Sequence, residues 1–297
     1  MIRPLSDLER REARRARLRA IPIRTLVPNL ITLLALCAGL TGIRMAVEGK
    51  LEIALGAIVF AAALDGIDGR VARMMKGTSR FGAELDSLAD FVNFGVAPGL
   101  ILYFWGLHDL KSAGWIAAMV FAICAGLRLA RFNVAIDDPD RPAWGANFFT
   151  GVPAPAGAIT VLLPIYLSFL GVPMTATMPL TLIYTLAIGF LMVSRLPVFS
   201  GKKLGTRVPP EMVLPVFIVV VLVVALLISY PWEVLTVGTL LYLGSLPFGL
   251  ASYRRYAQED AANAAAAAAH SMPVSDPDAS RLSMPRQSDE DRPPRLN

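Results

Sequence analysis

The feature that most constrains this chain is the run Asp65-Gly-Ile-Asp68-Gly69-Arg-Val-Ala72-Arg73, then eight residues, then Gly82, Asp86 and Asp90, set between two strongly apolar segments. A carboxylate moved into hydrocarbon costs about 2.5–3.5 kcal/mol on insertion scales, so four of them beside a membrane need a cation or a reaction to hold them there. On a helix, Asp65, Asp68, Gly69 and Ala72 fall at i, i+3, i+4 and i+7 and share one face, while Gly82, Asp86 and Asp90 share another at i, i+4 and i+8. Two such faces packed together make an oxygen-lined cage.

Oxygen donors of this kind suit Mg²⁺ or Mn²⁺, whereas zinc draws mainly on Cys and His. The chain has only His108 and His270, and only Cys37 and Cys124, so a His or Cys metal site is not expected. Gly69 and Gly82 let a ligand or backbone approach closely, Ala72 keeps the floor shallow, and Arg73 can fork onto a phosphate. The kit describes metal-assisted chemistry on a pyrophosphate. The bland alternative pairs the acids with Arg70, Arg73, Lys76 and Arg80 at a membrane surface, but a solvated face does not need small residues between its acids.

The run matches DxxDGxxAR, eight residues, GxxxDxxxD, and so resembles the signature of the CDP-alcohol phosphotransferase family, with eight fixed residues over 26 positions. The resemblance implies transfer of a substituted phosphate from a CDP-linked lipid or alcohol to a hydroxyl, with release of CMP, at a two-metal site. Asp65, Asp68, Asp86 and Asp90 would hold the ions, and Asp90, last in the motif, would also be the general base. In this family the stretch corresponding to Pro28, Asn29, Leu30 and Ile31 lines the CDP pocket. Those residues, with Gly69, Arg73 and Ser79, are the expected CDP-diacylglycerol contacts. Capping or loop hydrogen bonds explain Asn29 and Ser79 as well as a ligand contact does.

Composition places this chemistry in a membrane. Hydrophobic residues make up 55% of the 297 and charged residues 17%, with apolar blocks of roughly the 17–25 residues that span a bilayer as helix. The expected fold is all-α and polytopic, with eight spans near 28–47, 51–75, 85–105, 113–132, 153–171, 176–194, 213–229 and 233–250. With the N-terminus inside, Arg44, Lys50 and Lys111 are the three of 28 Lys and Arg residues left on the outer side, and the other 25 lie inside. Both termini are therefore expected in the cytoplasm, at the cytoplasmic (inner) membrane. The pI near 9.4 then describes a surface for anionic lipid and not for nucleic acid.

Residues 1–25, with eight arginines by position 24, read as a basic amphipathic helix lying on the leaflet or as a basic tail, without the layout of a signal peptide. Residues 26–256 form the expected catalytic membrane domain. Residues 257–297 are polar and Pro-rich, with an alanine run at 264–269 that can extend the last helix before disorder begins.

The depth of the acids bears on their role. Leu51 to Leu64 spans about 21 Å of helix, so the acids begin as the chain regains the cytoplasmic interface, where a lipid head group can enter with its tails in the leaflet. An ion-coupled transporter, the remote alternative, more often holds its carboxylates near the midplane of repeated units, and no second copy of the motif is visible.

The acceptor must be read outside the shared motif. The segments Asp86-Ser-Leu-Ala-Asp90-Phe-Val-Asn-Phe-Gly-Val-Ala-Pro98, Gly126-Leu-Arg128-Leu-Ala-Arg131-Phe-Asn133, Phe149-Thr-Gly-Val-Pro153 and Ser194-Arg195-Leu-Pro-Val-Phe199 resemble the phosphatidylserine synthase branch of the family over roughly residues 22–255. Asn93 departs from the serine more usual there. This resemblance implies L-serine as acceptor, and dimers are common in the family. Serine needs an anion site for its carboxylate and a base near its hydroxyl. Arg131 is the leading candidate clamp, with Arg128, Arg195 and Lys202 beside it, although membrane anchoring places cations at the same helix ends. Glycerol 3-phosphate or an inositol phosphate remains open as acceptor on the same chemistry. The segments 151–157 and 197–205 read as helix starts and loops.

Overall fold

The computed structural model describes residues 23–75, 79–136, 148–173, 177–199 and 210–271. The basic segment at 1–22, Lys76, Lys202 and the tail beyond 271 lie outside the described residues. The described residues through Ala251 form one compact unit and those from Ser252 a second.

Two long helices open the first unit: α1 (Ile23–Val47) and α2 (Leu51–Met74). They form an antiparallel hairpin turned at Gly49, whose φ of 75° is open to glycine without strain, and the turn is closed by Lys50 N–H on the Met45 carbonyl at 2.8 Å. Gly42 lets α1 come close, since a Cβ there would sit 3.1 Å from the Ala54 carbonyl oxygen. At the turn, hydrogen bonds from Lys50 and then Arg44 hold the Glu48 carboxyl below its ordinary range.

Next come α3 (Arg80–Phe91), a π-helical turn at Val92–Val96 and α4 (Ala97–Trp105), which together make one continuous rod. The π turn has a local cause. Pro98 has no N–H to offer the Phe94 carbonyl, and the Ala97 N–H bonds five residues back, to Val92. A 3₁₀ turn at Leu107–Leu110 leads to α5 (Ser112–Ile136). Gly95 and Gly99, four apart, bring this rod against α5: Cβ atoms there would lie 2.9 Å from the Ala125 methyl and from the Ala118 carbonyl oxygen. Helices in lipid gain little from hydrophobic burial against one another, so small residues that allow backbone contact drive such packing.

The remaining helices are α6 (Ala154–Val161), α7 (Leu163–Phe169), α8 (Met178–Val193), α9 (Pro210–Ser229) and α10 (Pro231–Ser271). The break between α6 and α7 falls at Leu162, where Pro164 disrupts the ladder and the Ile165 N–H bonds back to Leu162 at 2.9 Å. The expected extension of the last helix through the alanine run is present, since α10 continues to Ser271. Phe94, Ile101, Leu102, Phe121 and Tyr166 fill the core between the rod, α5 and α6–α7.

Among the described residues the fold is all-α apart from one ribbon absent from the sequence reading. Strands β1 (Phe148–Thr150) and β2 (Pro197–Phe199) pair antiparallel, Phe149 opposite Val198; β2 falls in the segment 197–205 expected to be loop, and β1 lies just before the segment 151–157. Three residues are too few to show an alternating pattern, and the pairing depends on a distant partner. By length and composition, four helices among the described residues can cross a membrane: Leu26–Val47, Arg80–Trp105, Ser112–Ala135 and Glu211–Ser229. They match four of the eight expected spans. Ala154–Phe169 and Met178–Val193 are apolar but shorter. The helix α2 carries the acids in its last three turns, which lowers its apolar character. Side chains of α9 from Glu211 to Leu226 are exposed all round, which suits a helix solvated by lipid.

Candidate active site

Both halves of the acidic motif are helical, as their spacing predicts. Asp65, Asp68, Gly69, Ala72 and Arg73 occupy the final turns of α2, and Gly82, Asp86 and Asp90 follow one face of α3. Ser79 starts α3 by accepting the Gly82 N–H at 3.0 Å, which places Asp86 opposite α2. Oxygens of Asp65, Asp68 and Asp86 lie within 4.8 Å of one another. Asp90, one turn further along, meets Asp65 side chain to side chain.

The first helix supports this cluster. Thr32 on α1 donates its hydroxyl to Asp68 Oδ2 at 2.8 Å, and both side chains are buried. Among the described residues, ion pairs form at Arg44–Glu48, Lys50–Glu48 and His108–Asp109, and none of the four aspartates has a Lys or Arg within ion-pair distance. Of the cations in the surface-pairing alternative, Arg70, Arg73 and Arg80 make no ion pair with these acids, and Lys76 lies outside the described residues. Converging carboxylates without a cationic partner, with a hydroxyl orienting one of them, are a donor set that fits a hard divalent cation.

A cleft of about 180 Å³ opens beside the acids, lined by Pro28, Asn29 and Thr32 of α1, Asp68, Gly69, Ala72 and Arg73 of α2, and Ser79, Gly82, Ala83 and Asp86. Of the expected nucleotide contacts, Pro28, Asn29, Gly69, Arg73 and Ser79 are thus brought together. Leu30 is exposed, and neither it nor Ile31 lines the cleft, because both turn away on α1. The two glycines play different parts. A Cβ on Gly82 would sit 2.8 Å from Asn29 Oδ1 and 3.2 Å from Ser79 Oγ, so this glycine lets α1 and α3 meet. A Cβ on Gly69 would meet only Arg73 Nη1, at 3.7 Å, and would otherwise point into open space.

The expected acceptor residues separate. Arg131 is exposed and donates from Nη1 to the Val193 carbonyl at the C-terminus of α8, a favourable place for a cation. Arg195 is exposed just before β2. Arg128 is buried, with its guanidinium 5.1 Å from the centre of the Phe132 ring. Cross-helix contacts set its neighbours: Gly126 lies against Phe91, and Asn133 Nδ2 donates to Ser87 Oγ at 2.9 Å. Arg128 falls between these two contacts, beside Asp90, with whose charge it interacts. The sequence reading passed over Tyr242 of α10, whose hydroxyl is buried. No motif announced it.

Comparison with known proteins gives the family of the chain. The family profile of CDP-alcohol phosphatidyltransferase matches residues 25–191, and a second profile, CDP-alcohol phosphatidyltransferase 2, matches residues 211–247. The chain belongs to the CDP-alcohol phosphatidyltransferase family, a family of membrane enzymes. It is 41% identical to a CDP-diacylglycerol–serine O-phosphatidyltransferase of Mycobacterium leprae over 232 residues, covering 77% of this chain and 76% of that one. A protein of the same description from Mycobacterium bovis is 39% identical, covering 78% of this chain and 81% of the other. One from Helicobacter pylori strain 26695 is 36% identical, covering 73% and 88%.

Proposed function

We propose that this protein transfers the phosphatidyl group of CDP-diacylglycerol to the hydroxyl of L-serine, giving phosphatidylserine and CMP. The observation that carries the reading is the convergence of Asp65, Asp68 and Asp86, unpaired with any described cation, on a cleft walled by Asn29, Gly69 and Arg73. The descriptions of the relatives favour serine over glycerol 3-phosphate or an inositol phosphate.

Asp65, Asp68, Asp86 and Asp90 would hold two divalent ions, Mg²⁺ or Mn²⁺. When bound, these ions would neutralise the pyrophosphate oxygens and stabilise the CMP leaving group. Thr32 fixes one oxygen of Asp68 and leaves its other oxygen for the site. Arg73 steadies a phosphate from the cleft wall, and Asn29 offers an amide to the nucleotide. Gly69 leaves room for the pyrophosphate to lie against the backbone of α2.

The serine oxygen attacks the lipid-side phosphorus in line with the departing CMP. One P–O bond forms, the P–O bond to CMP breaks, and Asp90 takes the hydroxyl proton as attack develops. A covalent phosphatidyl-enzyme would need a nucleophile with an adjacent base. His108 does not serve, since it sits on the 3₁₀ turn with its ring at the Tyr103 carbonyl and beside Asp109.

In the membrane, the eight-span arrangement puts both termini and the acids on the cytoplasmic side. The distribution of basic residues supports this orientation. Residues 26–256 form the catalytic domain, flanked by the basic segment and the tail. The deciding experiment incubates purified protein with CDP-diacylglycerol, Mg²⁺ and one alcohol at a time and follows CMP release. Serine should support release. Release with glycerol 3-phosphate and not with serine would reassign the acceptor, and Asp90→Asn should lower kcat with serine by at least about 100-fold.

A further inference from the structure

The hydroxyl of Tyr242 is buried with no hydrogen-bond partner among the described residues, a costly arrangement unless something else takes the proton. Its position on α10 is held at both ends. Ten residues earlier, Trp232 stacks on Tyr166 at 6.3 Å and packs on Phe169 at 4.7 Å. One turn later, Leu246 packs against the buried core and shares the lining of a small cavity with Val152, Leu191 and Val198. Tyr242 therefore faces inward, packed against the core, and its hydroxyl lies within the electrostatic reach of Arg128.

Arg128 is 8% exposed and, among the described residues, makes no ion pair; its guanidinium lies over the face of Phe132. The register of α5 on α3, set by Gly126 on Phe91 and Asn133 on Ser87, puts Arg128 beside Asp90. Neither Arg128 nor Tyr242 lines the nucleotide cleft. A guanidinium and a phenol both offer protons, so the group that satisfies them together is an acceptor carrying negative charge. One buried cation with one hydroxyl matches a singly charged carboxylate better than a dianionic phosphate.

We propose that Arg128 and the Tyr242 hydroxyl form the subsite for the carboxylate of the amino-acid acceptor, beside Asp90. In serine the carboxylate and the hydroxyl are joined through only two carbons, so holding one at Arg128 leaves the other within reach of Asp90. Arg131, engaged with the Val193 carbonyl, then has a structural part. The inference deepens the reading of serine as acceptor and rests on it.

The test uses the full chain in detergent with CDP-diacylglycerol and Mg²⁺, and three proteins: wild type, Tyr242→Phe and Arg128→Lys. Tyr242→Phe retains the packed ring and should raise the serine KM about 10-fold, the loss expected for one hydrogen bond to a charged group, with the CDP-diacylglycerol KM unchanged. Arg128→Lys should raise the serine KM as well. Serinol, which has the amine and hydroxyl of serine but no carboxylate, should be a poor acceptor for wild type and no poorer for Tyr242→Phe. Wild-type serine KM values in both variants would overturn the proposal. So would a fall in kcat with both KM values unchanged, or equal use of serinol and serine by wild type. Wild type that releases no CMP with serine at all would instead overturn the acceptor reading itself, before any variant is compared.

Discussion

Thr32 of α1 donates its hydroxyl to the carboxylate of Asp68 on α2 at 2.8 Å, and the two side chains are 5% and 4% exposed. This bond ties the helix that walls the cleft to the helix that carries the first acids. It also fixes the orientation of the Asp68 carboxylate. Thr32→Val keeps the shape and removes the donor, so it should weaken apparent Mg²⁺ affinity about 10–100-fold, as loss of a supporting hydrogen bond does at metal sites. CMP release measured against Mg²⁺ concentration checks this. An unchanged Mg²⁺ curve would reduce Thr32 to a packing residue.

Removing a carboxylate should be more severe. Asp65→Asn and Asp86→Asn each take one charge from a cluster whose oxygens lie within 4.8 Å, and both proteins should remain folded in detergent while losing transfer. EDTA should stop the native enzyme, and added Mg²⁺ or Mn²⁺ should restore it. Turnover that survives chelation would defeat the metal assignment without recourse to any variant.

The two motif glycines should respond differently to a methyl group. At Gly69 the added carbon meets little protein, so Gly69→Ala should keep thermal stability and raise the CDP-diacylglycerol KM. At Gly82 the carbon presses on Asn29 and Ser79, so Gly82→Ala should lower stability by about 1–3 kcal/mol as well as activity. Thermal melts and KM values measured side by side separate the two. Equal stability losses would contradict the different roles assigned here.

Gly39 of α1 lies under Asn93 of the π turn, and a Cβ there would clash with Asn93 Oδ1 and sit 3.3 Å from its Cα. Gly39→Ala should destabilise the protein by about 1–3 kcal/mol, and adding Asn93→Ser should recover part of the loss, because the shorter side chain withdraws from the contact. Chemical or thermal unfolding of the single and double variants measures the coupling. Strict additivity would mean that the two residues do not meet in this way.

Orientation can be read by labelling. Single cysteines at Lys50 and Ser112, on the turn between α1 and α2 and at the start of α5, should react with an impermeant reagent from outside, and one at Arg80 should not. Both native cysteines, Cys37 and Cys124, are free and should be replaced first. Outside labelling at position 80 would invert the proposed topology and move the active site with it.

Much of the catalytic motif could be read from the chain because its geometry is local. Spacings of three and four residues place Asp65 with Asp68, and Asp86 with Asp90, on common faces of any helix, and carboxylates next to apolar blocks are costly wherever those blocks pack. The π turn has a similarly local origin in Pro98, although the sequence reading did not anticipate it. Hydropathy marked the helical segments for the same reason, since it counts side chains along one stretch of chain.

What the sequence determined by itself was therefore the helical register, the four acids and the class of chemistry they imply. Only the tertiary structure decided partnerships between distant positions: Thr32 with Asp68, Arg131 with the Val193 carbonyl, Arg128 beside Asp90, Tyr242 near Arg128, and β1 with β2. Arg128 and Arg131 are three residues apart and look alike in the sequence. One is buried and the other exposed because the close approach of α5 to α3 at Gly126 and Phe91 encloses one side chain, while the end of α8 offers the other a carbonyl. Such outcomes follow from which helices touch and where, and that is set by packing across the whole bundle and not by any short stretch of residues.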